Sequence, residues 1–386
     1  MTVTLTGGNN VSSILYYSSA SSVGYQAAVA LDGILKADFP LDYMQMDSTA
    51  GGTTGTDTSS AGLPVLDIST AMTTINAANY SAIVDEATGP ITLNITSTVA
   101  GGTSVLAGSG GGTFLLADNS NATIVAGDGN YWVGHENNTG NLDVTLGNGN
   151  DTINNMMGNS TITTGTGSNI INLYQGVSGI TLNGTGYDTV NAGVGSESVS
   201  VASGADHVLI SENLSQLSFT NGSASSTIRG GGGATTINAG GTGSVLYTAE
   251  SYDFFIGSGS LSSLTDSVTD FSAGADTLMA GAGTTTVNVA DSGASDTLVS
   301  GTGSSTLIGS LTQADTFEVG GLASGSHSIT INNWTSADTF EVQGFAGQMP
   351  PAAVQSGADS TITLTDGTVV TFTDTTASSI TNIVSV

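Results

Sequence analysis

Two stretches, GNGND at residues 147–151 and GTGYD at 184–188, set an aspartate two residues after the second of a pair of glycines. A carboxylate on a glycine turn can serve a hard cation such as Ca²⁺, which takes oxygen ligands. The charge balance points the same way before any motif is considered. The chain has 31 Asp plus Glu against only Lys36 and Arg229, a formal net charge of -29. So acidic a chain repels itself unless cations bind between its carboxylates or screen them. Direct binding of nucleic acid is excluded, since neutralising phosphates needs Lys and Arg.

The elements that must position these aspartates are legible as a repeat. Gly-x-Gly-x-(D/N/S/T/E)-x-apolar recurs as GNGNDTI at 147, GTGSNII at 165, GTGYDTV at 184, GVGSESV at 193, GGGATTI at 231, GAGTTTV at 281 and GTGSSTL at 301. Looser copies keep only Asp-Thr-apolar, at Asp276, Asp296, Asp315 and Asp338. The first four copies are offset by 18, 19 and 9 residues, multiples of about nine. A nine-residue unit reads as a glycine-rich turn followed by a short strand whose apolar residue points inward. Two units make one coil, and stacked coils supply the buried partner that no single unit has. Composition agrees: 55 Gly and 9% charged residues, yet 38% hydrophobic residues in short alternating runs, argue for β structure and against disorder. The inserts SENLSQLSFTNGSAS and SYDFFIGSGSLSSLTDSVTDF are expected to break the period.

The fold expected is all-β: a parallel β-solenoid over residues 100–345, preceded by a small mixed α/β region at 1–99 and followed by a β-hairpin cap at 346–386. No proline lies between Pro90 and Pro350, as a strand-bearing body requires. Upstream, 11–39 carries the best helical pattern, with Val23, Ala27, Ala30, Leu31 and Ile34 near one face, and a second helix, capped by Asp67 or Ser69, is expected within 66–87. Downstream, Asp366-Gly367 between two alternating runs predicts a hairpin. No apolar run reaches membrane-spanning length, and the first residues lack the pattern of a cleaved signal peptide.

These units resemble the RTX (repeat-in-toxin) repeats of type I secreted bacterial proteins, consensus Gly-Gly-x-Gly-x-Asp-x-apolar-x. The match covers scattered units from about 127 to 301. In that family the aspartate and turn carbonyls chelate Ca²⁺ between successive turns. Carried over by residue, Gly147, Gly149 and Asp151, and Gly184, Gly186 and Asp188, are the best-matched calcium sites, with Asp206, Asp276 and Asp296 weaker. Elsewhere the aspartate position holds Asn169, Glu197, Thr235, Thr285 or Ser305, so a regular ladder of identical sites is not expected. The structural reading of an Asp before Thr is a turn bonded to its own backbone. The last residues also resemble the C-terminal signal region of type I secreted proteins, and a structural cap fits them equally.

Catalysis is not expected. A solenoid lyase acting on acidic polysaccharide needs Lys or Arg beside calcium. His135-Glu136 lacks the second histidine of a zinc-protease motif, and His207 and His327 have no nucleophile-elbow context. The three histidines are expected in surface or turn positions. Trp132, Trp334, Tyr131, Phe254 and Phe255 could form a carbohydrate platform or a subunit contact, but are expected mainly to fill solenoid ends or inserts. What remains is a self-assembling structural protein at the bacterial cell surface, as a fibre, surface layer or biofilm matrix. Its partners would be copies of itself and surface polysaccharide. The alternatives are a calcium-dependent adhesin and, below it because the GTG copies are irregularly spaced, an ice-binding solenoid.

Overall fold

The structure, a computed structural model, describes residues 2–6, 12–16, 46–48, 55–56, 65–68, 74–78, 80, 82–96, 102–117, 120–135, 139–155, 157–203, 207–211, 216–221, 225–229, 235–238, 245–249, 254–256, 265–270, 275–280, 284–290, 292–320, 327–344 and 351–385. The protein is a parallel β-solenoid, and it divides into two compact units, 1–195 and 196–386. Among the described residues the only helical turn is Ala377–Ser379. No helix among them is long and apolar enough to cross a membrane.

In the first unit consecutive strands alternate between two parallel sheets, so each strand pairs with the one a full coil away. One sheet runs through Thr103–Ala107, Ala122–Val125, Leu142–Thr145, Ser160–Thr164 and Gln175–Asn183. The other runs through Ile91–Thr96, Gly112–Ala117, Tyr131–His135, Thr152–Asn155, Ile170–Leu173 and Thr189–Ala192. Register stacks like on like. Ile83, Val105, Ile124, Val144, Ile162 and Ile180 form one inward column, and Leu93, Phe114, Val133, Ile153, Ile171 and Val190 the facing one. All twelve are at most 2% exposed. Each contributes about 1.5–3 kcal/mol of burial, and the abundance of β-branched side chains matches the extended backbone. At one corner, the side-chain carbonyls of Asn121, Asn141 and Asn159 accept the N–H of Asn141, Asn159 and Val177 on the next coil at 2.8–3.0 Å.

The ladders run upstream of residue 100, where a separate mixed region was expected. Val65–Ile68, Ile75–Ala78 and Ala82–Asp85 are strands in the same two sheets, so the helix expected at 66–87 is replaced by three strands. Asp67, the proposed cap, lies inside the first of them. The physical reason is that Leu66, Ile68, Ile75, Ala77, Ile83 and Val84 can all be buried against neighbouring coils, which overrides a weak helical spacing among poor helix formers. Ser12–Tyr16, also read as helical, pairs antiparallel with Thr2–Thr6. Val23, Ala27, Ala30, Leu31 and Ile34 lie outside the described residues.

The second unit repeats the scheme. Phe254–Ile256, Thr277–Met279, Thr297–Val299, Thr316–Gly320, Thr339–Gln343 and Ile383–Ser385 make one sheet. Thr265–Asp270, Thr284–Asn288, Ser304–Ile308, Ser328–Asn332 and Val369–Phe372 make the other. The segments read as interruptions are coils: Gln216–Asn221 pairs on both sides, and Phe254–Ile256 and Thr265–Asp270 join the ladders. The hairpin at Asp366-Gly367 forms, Asp359–Thr363 pairing antiparallel with Val369–Phe372. Trp334 plugs this end, edge-on to Phe372 at 5.3 Å and 9% exposed, with its indole N–H donated to the Ser379 carbonyl.

Candidate functional site

The residues of the two best-matched units are brought together in the first unit as a column. Gly149 and Gly186 are glycine because adjacent coils nearly touch there: a Cβ would be driven into the carbonyl oxygen of Gly129 or Gly167. Gly147 and Gly184 stand on the same turns, also against carbonyls of the preceding coil. These contacts let the following residue reach the coil before it. Asp151 Oδ1 accepts the Tyr131 N–H at 2.8 Å, and Asp151 N–H donates to Asn169 Oδ1 at 3.1 Å. Asn169 in turn donates its N–H and its amide Nδ2 to Asp188 Oδ1 at 3.0 and 2.7 Å. Tyr131, Asp151, Asn169 and Asp188 thus share one register position on four successive coils.

This column explains the exchange of Asp for Asn. The position needs one side-chain oxygen to accept a strand N–H from the previous coil, and Asn supplies it as well as Asp. The second oxygen is surplus: Asp151 Oδ2 is buried with no hydrogen-bond partner. Burial pushes the Asp151 carboxyl up to about 7, the Tyr131 N–H opposes this, and the Asp188 charge adds to it. Glu197, in the second unit, is likewise 3% exposed with Oε2 unpartnered, and burial pushes it up to about 7.

The looser copies form the more regular column. Asp296 Oδ1 accepts the N–H of Asp276, Asp315 that of Asp296, and Asp338 that of Asp315, at 2.9–3.0 Å. The remaining oxygens of Asp315 and Asp338 accept from the N–H of Ser310 and Thr335, closing local turns. All four are at most 2% exposed. Asp338 is held above the ordinary carboxylate range by burial, against three opposing hydrogen bonds. Asp315 and Asp338 were absent from the expected ligand set although their signal, Asp-Thr-apolar once per coil, is in the sequence. Asp206 lies outside the described residues.

In these columns the aspartate oxygens serve backbone N–H groups. Ca²⁺ takes six to eight oxygen ligands, and the Oδ1 atoms of Asp151, Asp188, Asp296, Asp315 and Asp338 each accept a backbone N–H. Asp151 and Asp188 are two coils apart, about 9–10 Å at the usual strand spacing, with Asn169 between them. Among the described residues no three His, Cys, Asp or Glu side chains cluster as metal ligands would.

His135 departs from the surface position expected of it. It is 3% exposed, with Nδ1 3.0 Å from Asn155 Oδ1 and Nε2 3.0 Å from the Ser120 carbonyl, a buried bridge between coils. Tyr131 is also buried, its hydroxyl donated to the Gly108 carbonyl at 2.7 Å. The side chains of Phe254 and Phe255 lie outside the description. No protein-family model and no curated protein matches this chain.

Proposed function

We propose that this protein is extracellular building material: a solenoid that joins to copies of itself at a bacterial cell surface, with calcium offsetting its charge. The observation that carries the reading is an apolar corner of the first unit. Met157, Tyr174, Val177 and Val194 are 37, 53, 60 and 47% exposed, and they stand on three consecutive coils. No charged residue occurs from 152 to 187. A chain of net charge -29 can approach its copies most cheaply where it carries no charge, and a contiguous exposed apolar patch marks a contact surface.

Calcium has its role here at acidic surface groups, lowering repulsion between copies, since the buried aspartates already hold backbone N–H groups. The RTX-like units and the C-terminal hairpin support export by the type I route. The test is negative-stain microscopy of purified protein with millimolar calcium and with chelator. Regular filaments or sheets are expected with calcium, and the double variant Tyr174→Ser, Val177→Thr should stay monomeric while melting at the wild-type temperature. Wild-type protein that remains monomeric in both conditions defeats the reading.

A further inference from the structure

A single tryptophan stands on the solvent face of the first unit where the adjacent coils carry threonine. Trp132 is in register with Thr113 on one side and Thr152 on the other. Its side chain is half-buried and points away from the core column that contains Val133. The ring leans along its own strand over Gly134. A Cβ at Gly134 would lie 2.8 Å from Trp132 Cη2, and Gly134 is buried although it faces outward. The missing side chain makes room for the indole to lie against the sheet and leave its other side to solvent.

The surroundings of this plate are polar and uncharged. Asn154 is in register with Gly134 and begins an amide ladder: Asn172 donates to Asn154 and Asn191 to Asn172, both at 2.6 Å. The ladder runs in one direction, so Asn154 Nδ2 at its end makes no hydrogen bond among the described residues, and neither does the indole N–H of Trp132. Thr113 and Thr152 add hydroxyls on either side, and Leu115 extends the apolar floor. No residue in the two outward rows from 92 to 191 is charged.

We propose that Trp132 and Asn154 form a binding site for a neutral polysaccharide. A sugar ring presents a C–H face that stacks on an aromatic plate and hydroxyls around its rim that need donors and acceptors, and both are supplied here. The ligand is neutral because the site offers no cation to an anionic glycan and the chain as a whole repels one. A shallow groove of about 550 Å³ on the other sheet, lined by Asn121, Asn141, Asn159 and Asp143, has amides but no aromatic floor. The platform does not depend on self-assembly.

The experiment is titration of the full chain with soluble neutral glucan, mannan and galactan, with polygalacturonate as the anionic comparison. Binding is read by calorimetry and by protection of tryptophan fluorescence from acrylamide. Trp334 is buried, so the quenchable signal belongs to Trp132. At least one neutral glycan should bind and protect. Trp132→Thr, which installs the residue of both adjacent coils, should weaken binding at least tenfold without lowering the melting temperature; Trp132→Phe should keep part of it and Asn154→Ala lose severalfold. The proposal is overturned if no neutral glycan binds, if Trp132→Thr binds as well as wild type, or if polygalacturonate binds equally.

Discussion

The aspartate columns of the two units use the same hydrogen bond with different charge. In the first, Asp151 and Asp188 are separated by Asn169; in the second, Asp276, Asp296, Asp315 and Asp338 follow one another without interruption. Either side chain accepts the N–H of the preceding coil, so coil geometry is indifferent to the choice. Electrostatics are not: adjacent buried carboxylates at about the strand spacing of 4.8 Å repel one another in a poor dielectric. At its far end the second column has extra donors, the N–H of Ser310 on Asp315 and that of Thr335 on Asp338. The first has no such donor for Asp151 Oδ2, and a neutral neighbour is its remedy.

The largest effect should come from removing an acceptor where it serves twice. Asp315→Ala strands the N–H groups of Asp296 and Ser310 and should cost about 2–4 kcal/mol, read from the denaturant midpoint. Asn169→Asp would turn the first column into a copy of the second without its extra donors, and remove the Nδ2 donation to Asp188. A loss of about 1–3 kcal/mol at pH 8, shrinking at pH 5, is expected. If Asn169→Asp is neutral at pH 8, the charge difference between the columns has no energetic meaning.

Next in size is the pH dependence. Asp151 and Glu197 titrate near 7 when folded, against 3.8 and 4.5 as free groups. A raised carboxyl means that the folded chain holds protons the unfolded chain has released. Their stabilising contribution is therefore complete below about pH 4 and is lost as pH rises through about 7. Melting temperature should rise from pH 8 to pH 5, and Asp151→Asn with Glu197→Gln should flatten the slope; an unchanged slope would place the titration elsewhere. Smallest is the calcium response of the monomer: Asp151→Asn should leave any calcium-linked shift in melting as it was. Loss of that shift would put the ion in the first column after all.

Much of this was legible. The two-strand coil followed from nonapeptide offsets, and the hairpin from Asp366-Gly367. The inserts carry no glycine period, and Gln216–Asn221 and Thr265–Asp270 hold their places in the coils by strand pairing instead. In the segment 66–87 the spacing of apolar residues over a short window fits a helix face or successive strands alike, and burial against neighbouring coils selects the strands. Asp315 and Asp338, looser copies that keep only Asp-Thr-apolar, perform the same task as Asp151 without the paired glycines.

By itself the sequence determined that coils stack, that apolar side chains turn inward, and that the chain is strongly acidic, because period, hydrophobicity and charge are properties of the chain read in order. Only the tertiary structure decided what the aspartates face. Whether an oxygen meets a cation or an N–H depends on atoms about 20 residues away on the neighbouring coil. The same holds for Trp132, whose ring lies on the surface because Gly134 beneath it leaves the space.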